Sequence, residues 1–213
     1  GSKESFSNML DWALRWVFLI ALPAAVGLAV LAAPLLTTLF QYDEFTSHDV
    51  QMASQSLMAY AIGLPAFVLI KVFSAGFFSR QDTKTPVKIG VLAMFANLAL
   101  NLALVGPLAH AGLALATSLA ACLQAFLLFR VLKRAAVYRP NSGWFTFLLK
   151  IIISIIVMGY LVMFGAGDIL DWFDWGVLER VMHLSIWVVT GVLAYFVLMF
   201  AFGMRLKHMT API

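Results

Sequence analysis

Six strongly apolar runs, each long enough to cross a bilayer, fill most of this 213-residue chain, and the loops between them alternate in charge. A spanning helix needs roughly 20 mostly apolar residues. Segment a covers about 16–42, b about 50–78 with Lys71 inside it, and c about 89–109. Segment d covers about 111–129, e about 151–167 and f about 184–204. Lys150, at the start of the short segment e, can reach back to the headgroup layer. The fold class is therefore all-α: a polytopic integral membrane bundle of six transmembrane helices.

Charge orients it. Lys3 and Arg15 precede a; Arg80, Lys84 and Lys88 follow b; Arg130, Lys133, Arg134, Arg139 and Lys150 lie around the d–e linker; Arg205 and Lys207 follow f. Twelve of the 14 basic residues thus share one side. Asp43, Glu44, Asp49, Asp168, Asp171, Asp174 and Glu179 lie on the other. The positive-inside rule makes the basic side cytoplasmic, with both ends of the chain on it.

Composition excludes other classes. The chain is 63% hydrophobic with mean hydropathy +0.96, far from a soluble domain. The net charge of +4 sits in short juxtamembrane loops and is no nucleic-acid footprint. The single cysteine, Cys122, allows neither a disulfide framework nor a CxxC metal site. Segment a is too long for a signal peptide and lacks a cleavage site. The chain begins Gly1-Ser2 without methionine, and a piece of a longer protein is expected.

Two regions differ in character. Residues 1–135 hold four helices with short links and small residues. Gly112, Ala116 and Ala120, flanked by Ala114, Ser118 and Ala121, let helices approach closely in lipid. Residues 136–213 hold the basic linker and a final, bulkier helix pair. Leu-Pro-Ala-x-Val recurs at Leu22–Val26 and Leu64–Val68, a slight hint of a repeat.

Polar groups inside the membrane mark function. Asn97 and Asn101 lie one turn apart in c, and Thr117 and Gln124 form a stripe in d. The short c–d link makes c and d antiparallel neighbours, with Asn97 and Thr117 at similar depth. These groups either join helices by hydrogen bonds or offer a hard cation its oxygens. Lys71 either snorkels to the interface or meets an anionic ligand in a cavity wall loosened by Pro65, which frees a carbonyl near Ala61. Asp168, Asp171 and Asp174, interleaved with Trp172, Phe173 and Trp175, read as an interfacial turn or helix with an aromatic belt rather than a Mg²⁺-diphosphate motif. His48, His110 and His183 stand without catalytic partners. No enzyme is expected.

The stretch from Lys71 to Val87, KVFSAGFFSRQDTKTPV, resembles the signature of the MurJ/MviN family, the lipid II flippases of bacterial peptidoglycan synthesis. Leu22-Pro23-Ala24, Gly63-Leu64-Pro65, Asn97-Leu-Ala-Leu-Asn101 and Gly106 to Leu113 extend the likeness. The resemblance implies a fourteen-helix fold of the MOP/MATE-like kind, of which this chain would supply the last six helices. Four would complete the second lobe, and the last pair would form a groove for the polyprenyl tail. It also implies lipid II as substrate, membrane lipids and the preceding helices of the same protein as partners, and the bacterial inner membrane as location.

The implied mechanism is alternating access, with the headgroup crossing inside a cationic cavity and the tail staying in lipid. Lys71, Arg80 and Gln124 would face substrate or cavity. Pro65, Arg80, Asp82, Lys84, Thr85 and Pro86 would form a gate or hinge. Some family members hold sodium, and the matching positions are Asn97, Asn101, Thr117 and the carbonyl of Leu113. An acid can stand at the second of these positions in the family, where this chain has Asn101. No cofactor beyond sodium is implied. The alternatives are another exporter of the same superfamily, for O-antigen lipids or drugs, and a non-transporting membrane scaffold.

Overall fold

The computed structural model describes residues 2–42, 44–135 and 138–204, with backbone alone for Ser2 and Lys3. Asp43 of the acidic loop and Arg205 and Lys207 of the basic tail lie outside the described residues. Seven helices follow in order: α1 (Ser2–Val30), α2 (Ala32–Phe40), α3 (Ser47–Phe78), α4 (Lys84–Arg134), α5 (Trp144–Gly165), α6 (Ile169–Asp174) and α7 (Val177–Ala201). Five of them, α1, α3, α4, α5 and α7, are long and apolar enough to span a membrane. The protein is an all-helical, multi-pass membrane bundle.

Segment a is divided. Pro34 cannot donate to the carbonyl four residues back, and the chain bends at Leu31 between α1 and α2. α1 also starts at Ser2, well before the apolar run.

Segments c and d both belong to α4. At 51 residues a straight helix would be about 77 Å long, more than twice the hydrocarbon thickness. It is not straight. Ala109, at φ 46° and ψ −125°, breaks the helix just after Pro107, and the chain turns back. A Cβ on Gly112 would overlap the Leu104 carbonyl, and one on Gly90 would lie 3.5 Å from Gln124 Nε2. Residues 90 and 124 would be about 51 Å apart along an unbroken helix. α4 is therefore the antiparallel hairpin expected from the short c–d link. Counting α1–α2 as one pass and α4 as two gives six passes, with α6 too short to span.

Small residues set the packing, because helices in lipid gain from close approach rather than from expelling water. Gly112, Ala114, Ala116, Ser118, Ala120 and Ala121 are all buried. A Cβ on Gly63 would come within 2.6 Å of Ser118 Oγ. That hydroxyl donates to the carbonyls of Ala59 at 2.7 Å and Tyr60 at 3.4 Å, so α3 and the second arm of α4 are joined beside Pro65. α3 runs as one helix through that proline.

The basic loops gather at one end of the bundle around Asp11. Its carboxylate accepts from Tyr138 Oη at 2.8 Å, Trp144 Nε1 at 2.7 Å, the Asn141 amide at 3.2 Å and Arg15 Nε at 2.9 Å. Arg15 also lies over the Trp144 ring. Burial, and next its bond to Asp11, push the Tyr138 phenol well above its ordinary range. The linker into α5 is thereby fastened to α1.

Candidate functional site

Membrane-embedded polar groups build the site along the α4 hairpin. In the first arm, Asn101 Nδ2 donates to Asn97 Oδ1 at 3.1 Å. In the second, Thr117 Oγ1 donates to the Leu113 carbonyl at 2.9 Å. The Gly90–Gln124 and Gly112–Leu104 approaches set the pairing of the two arms to within about two residues, with Asn97 near the depth of Thr117 and Asn101 near that of Leu113. The four expected sodium positions therefore lie at similar depths in the two arms, but each bond stays within one arm and none joins the arms at these positions among the described residues. Asn101 Oδ1 is buried and accepts no hydrogen bond among the described residues. A buried acceptor left open is costly, and an oxygen at this depth suits a hard cation. The set fits sodium in donor type but brings no negative charge.

Gln124 packs against Gly90 at the same hairpin. Lys71 and Arg80 are exposed, and no hydrogen bond or ion pair engages either side chain among the described residues. Neither is joined to the stripe. The expected gate is a tightly wound turn. The amides of Asp82 and Gln81 donate back to the carbonyls of Phe77 and Phe78, with Gln81 at φ 60°. Asp82 then caps α4, accepting from the Thr85 amide at 3.1 Å and its hydroxyl at 2.7 Å. Those bonds, the hydroxyl's first, hold the Asp82 carboxyl below the usual range. Pro86 is buried in the first turn, where a missing N–H costs little, while Lys84 is exposed.

Other expectations need correction. Trp172 is not part of an interfacial belt: it is fully buried, and its Nε1 donates to the Ala166 carbonyl at 2.9 Å. Asp168 caps α6. His183 stacks on Trp175 at 4.2 Å, a packing contact rather than a catalytic pairing. Lys150 Nζ donates to the Phe202 carbonyl at 2.7 Å and so caps α7.

Sequence reasoning missed Arg180. It is 7% exposed and donates to four carbonyls: Trp172 at 2.8 Å, Phe173 at 2.9 Å, and Thr37 and Gln41 at 3.3 Å each. The available signal was a lone arginine on an otherwise acidic side. Tyr195 was missed too. Its hydroxyl donates to the Leu19 carbonyl at 2.9 Å, the acceptor that Pro23 leaves open four residues on.

An apolar groove of about 350 Å³ runs between α1, α2, α5 and α7, lined by Leu19, Leu31, Leu35, Val188, Gly191 and Tyr195 among others. A second apolar cavity, of about 620 Å³, lies between α1, α3, the second arm of α4 and the linker.

A six-pass bundle with an intramembrane polar stripe and an apolar groove between its helices defines a polytopic membrane protein. A family model described as "Lipid II flippase MurJ" matches residues 1–181, and the chain belongs to that family. A probable lipid II flippase MurJ of Haemophilus influenzae is 40% identical over 98% of this chain and 41% of its own length. A lipid II flippase MurJ of Burkholderia cenocepacia is 36% identical over 97% of this chain and 40% of its own length. A solved structure of a lipid II flippase MurJ in an inward closed conformation shares the fold, with a TM-score of 0.77 at 23% identity over 93% of this chain and 39% of that one. The chain spans about two fifths of the length of the relatives it matches.

Proposed function

We propose that this chain is the carboxy-terminal part of a lipid II flippase of the bacterial inner membrane, moving the lipid-linked peptidoglycan precursor from the inner to the outer leaflet by alternating access. The observation that carries the reading is the apolar groove beside α5 and α7. Together with membership of the family, it supplies an apolar bed for part of an isoprenoid tail, the rest of which stays in lipid, while the headgroup passes elsewhere. A diphosphate in hydrocarbon is prohibitive without cations, and the side chains of Lys71 and Arg80 are uncommitted. Residues 80–86 act as the gate on the cytoplasmic side. Asn97, Asn101, Thr117 and the Leu113 carbonyl take a sodium ion, whose charge is balanced by an acid outside this chain.

The test is complementation of flippase-depleted cells by the native protein containing this chain, with lipid II exposed on the outer leaflet as readout. Arg80→Glu, and Asn97→Leu with Asn101→Leu, are expected to abolish exposure while leaving membrane levels unchanged. Normal exposure in well-expressed variants would remove both the gate and the stripe from the mechanism.

A further inference from the structure

Arg180 breaks three local rules at once. It is a cation in the first turn of α7, the end of a helix that disfavours positive charge. It is almost wholly buried. No carboxylate pairs with it among the described residues. Its ligands are backbone carbonyls from the last turn of α2, Thr37 and Gln41, and from α6, Trp172 and Phe173. Those helix ends carry partial negative charge that suits a guanidinium. A planar fork of donors can serve four divergent carbonyls where a lysine could not.

Placement gives the arrangement its use. Leu35 of α2 and Val188 of α7 line the groove, and they stand two residues from Thr37 and two turns, about 12 Å, from Arg180. At the far end, Tyr195 and Leu19 line the same groove and are joined by the Tyr195 hydroxyl. Along the groove itself α7 is packed tightly on α5: a Cβ on Gly191 would meet Val162 at 3.0 Å, and Gly165 lies under the Trp187 ring. These α5 contacts do not set the spacing between α7 and α2, the two groove-lining helices that the Arg180 bonds tie together.

We infer that Arg180 is a positioning residue: by tying the end of α2 to the start of α7 it sets the spacing of two walls of the groove, and with it the fit of a long isoprenoid chain. The inference rests on the tail-groove reading above. A buried guanidinium can also be merely structural, so the test compares tail lengths rather than activity alone.

The native protein containing this chain is reconstituted in proteoliposomes with lipid-linked precursors bearing either an undecaprenyl or a farnesyl tail. The unaltered protein is expected to prefer the long tail. Arg180→Gln is expected to cut long-tail transport about tenfold or more, the factor expected for one lost charged hydrogen bond, and short-tail transport by less than about twofold. Arg180→Lys, which keeps the charge and gives a fold-competent control, is expected to fall between them. Spin labels at the exposed Leu39 and Leu178 should show a narrow separation that broadens in both variants. Equal loss with both tails, or no loss with either, overturns the role of Arg180. If the unaltered protein treats the two tails alike, the groove reading itself fails, and the inference with it.

Discussion

The carbonyl that Pro23 leaves open is collected by another helix. Pro23 lacks the N–H that would reach Leu19, and the Tyr195 hydroxyl takes that place from a helix 176 residues away in sequence. Interhelical bonds in lipid average about 0.6 kcal/mol and reach about 1.7 kcal/mol. Tyr195→Phe is expected to destabilise the protein by about 0.5–1.5 kcal/mol in detergent unfolding. In a Pro23→Ala background the amide restored at that position supplies the missing bond, and the cost of Tyr195→Phe should fall by about half or more. An equal cost in both backgrounds would show that the hydroxyl does not compensate for the proline. None of this was legible from Tyr195 itself, since an aromatic in segment f reads as packing. The visible half of the pair was Leu22-Pro23-Ala24.

Elements here are closed by their ends. The turn between α3 and α4 combines a left-handed Gln81 with the Asp82 cap, and it fixes where the hairpin starts. The capping carboxylate accepts most strongly when ionised. Its folded pKa lies below the ordinary aspartate value of 3.8, so its contribution is complete above that value and disappears as pH falls through the lower, folded one. Protection of the Thr85 amide, taken relative to its intrinsic exchange rate, is expected to fall below about pH 4 and to lose that pH dependence in Asp82→Asn. An unchanged profile in the variant would assign the acid response elsewhere. The α4 hairpin was legible because Pro107, Gly106 and Gly112 punctuate an apolar run too long for one crossing. The division of segment a at Leu31 was not, since no charge marks it and Pro34 lies near a helix start, where proline is ordinarily tolerated.

Across the molecule, what the sequence made plain was the alternation of apolar runs and charged loops, which needs no tertiary knowledge. What it hid were the fasteners. Asp11 meets Tyr138, Asn141 and Trp144 across 127 to 133 residues, and Arg180 meets Thr37 across 143. Such pairings follow from packing and leave no periodic trace. Orientation in the membrane depends on the loops alone. The structure brings the loop around residues 79–83, the linker and the start of α1 to one end, and Arg180 is the exception at the other. Buried among carbonyls beside Glu179, Asp171 and Asp174, it should weigh little against an acidic face, because the rule acts through basic residues in loops close to the spans. In a Cys122→Ser background, cysteines placed at Lys84 and Lys133 are therefore expected to resist an impermeant maleimide in intact cells and to react in inverted vesicles. Cysteines at Glu44 and Leu178 should do the reverse. Removing Arg180 should leave that pattern unchanged, whereas replacing Arg130, Lys133 and Arg134 together by glutamine should produce mixed labelling at Lys84. If Lys84 is labelled from outside in the otherwise unaltered protein, the basic end faces the wrong compartment for a gate that admits a cytoplasmic lipid.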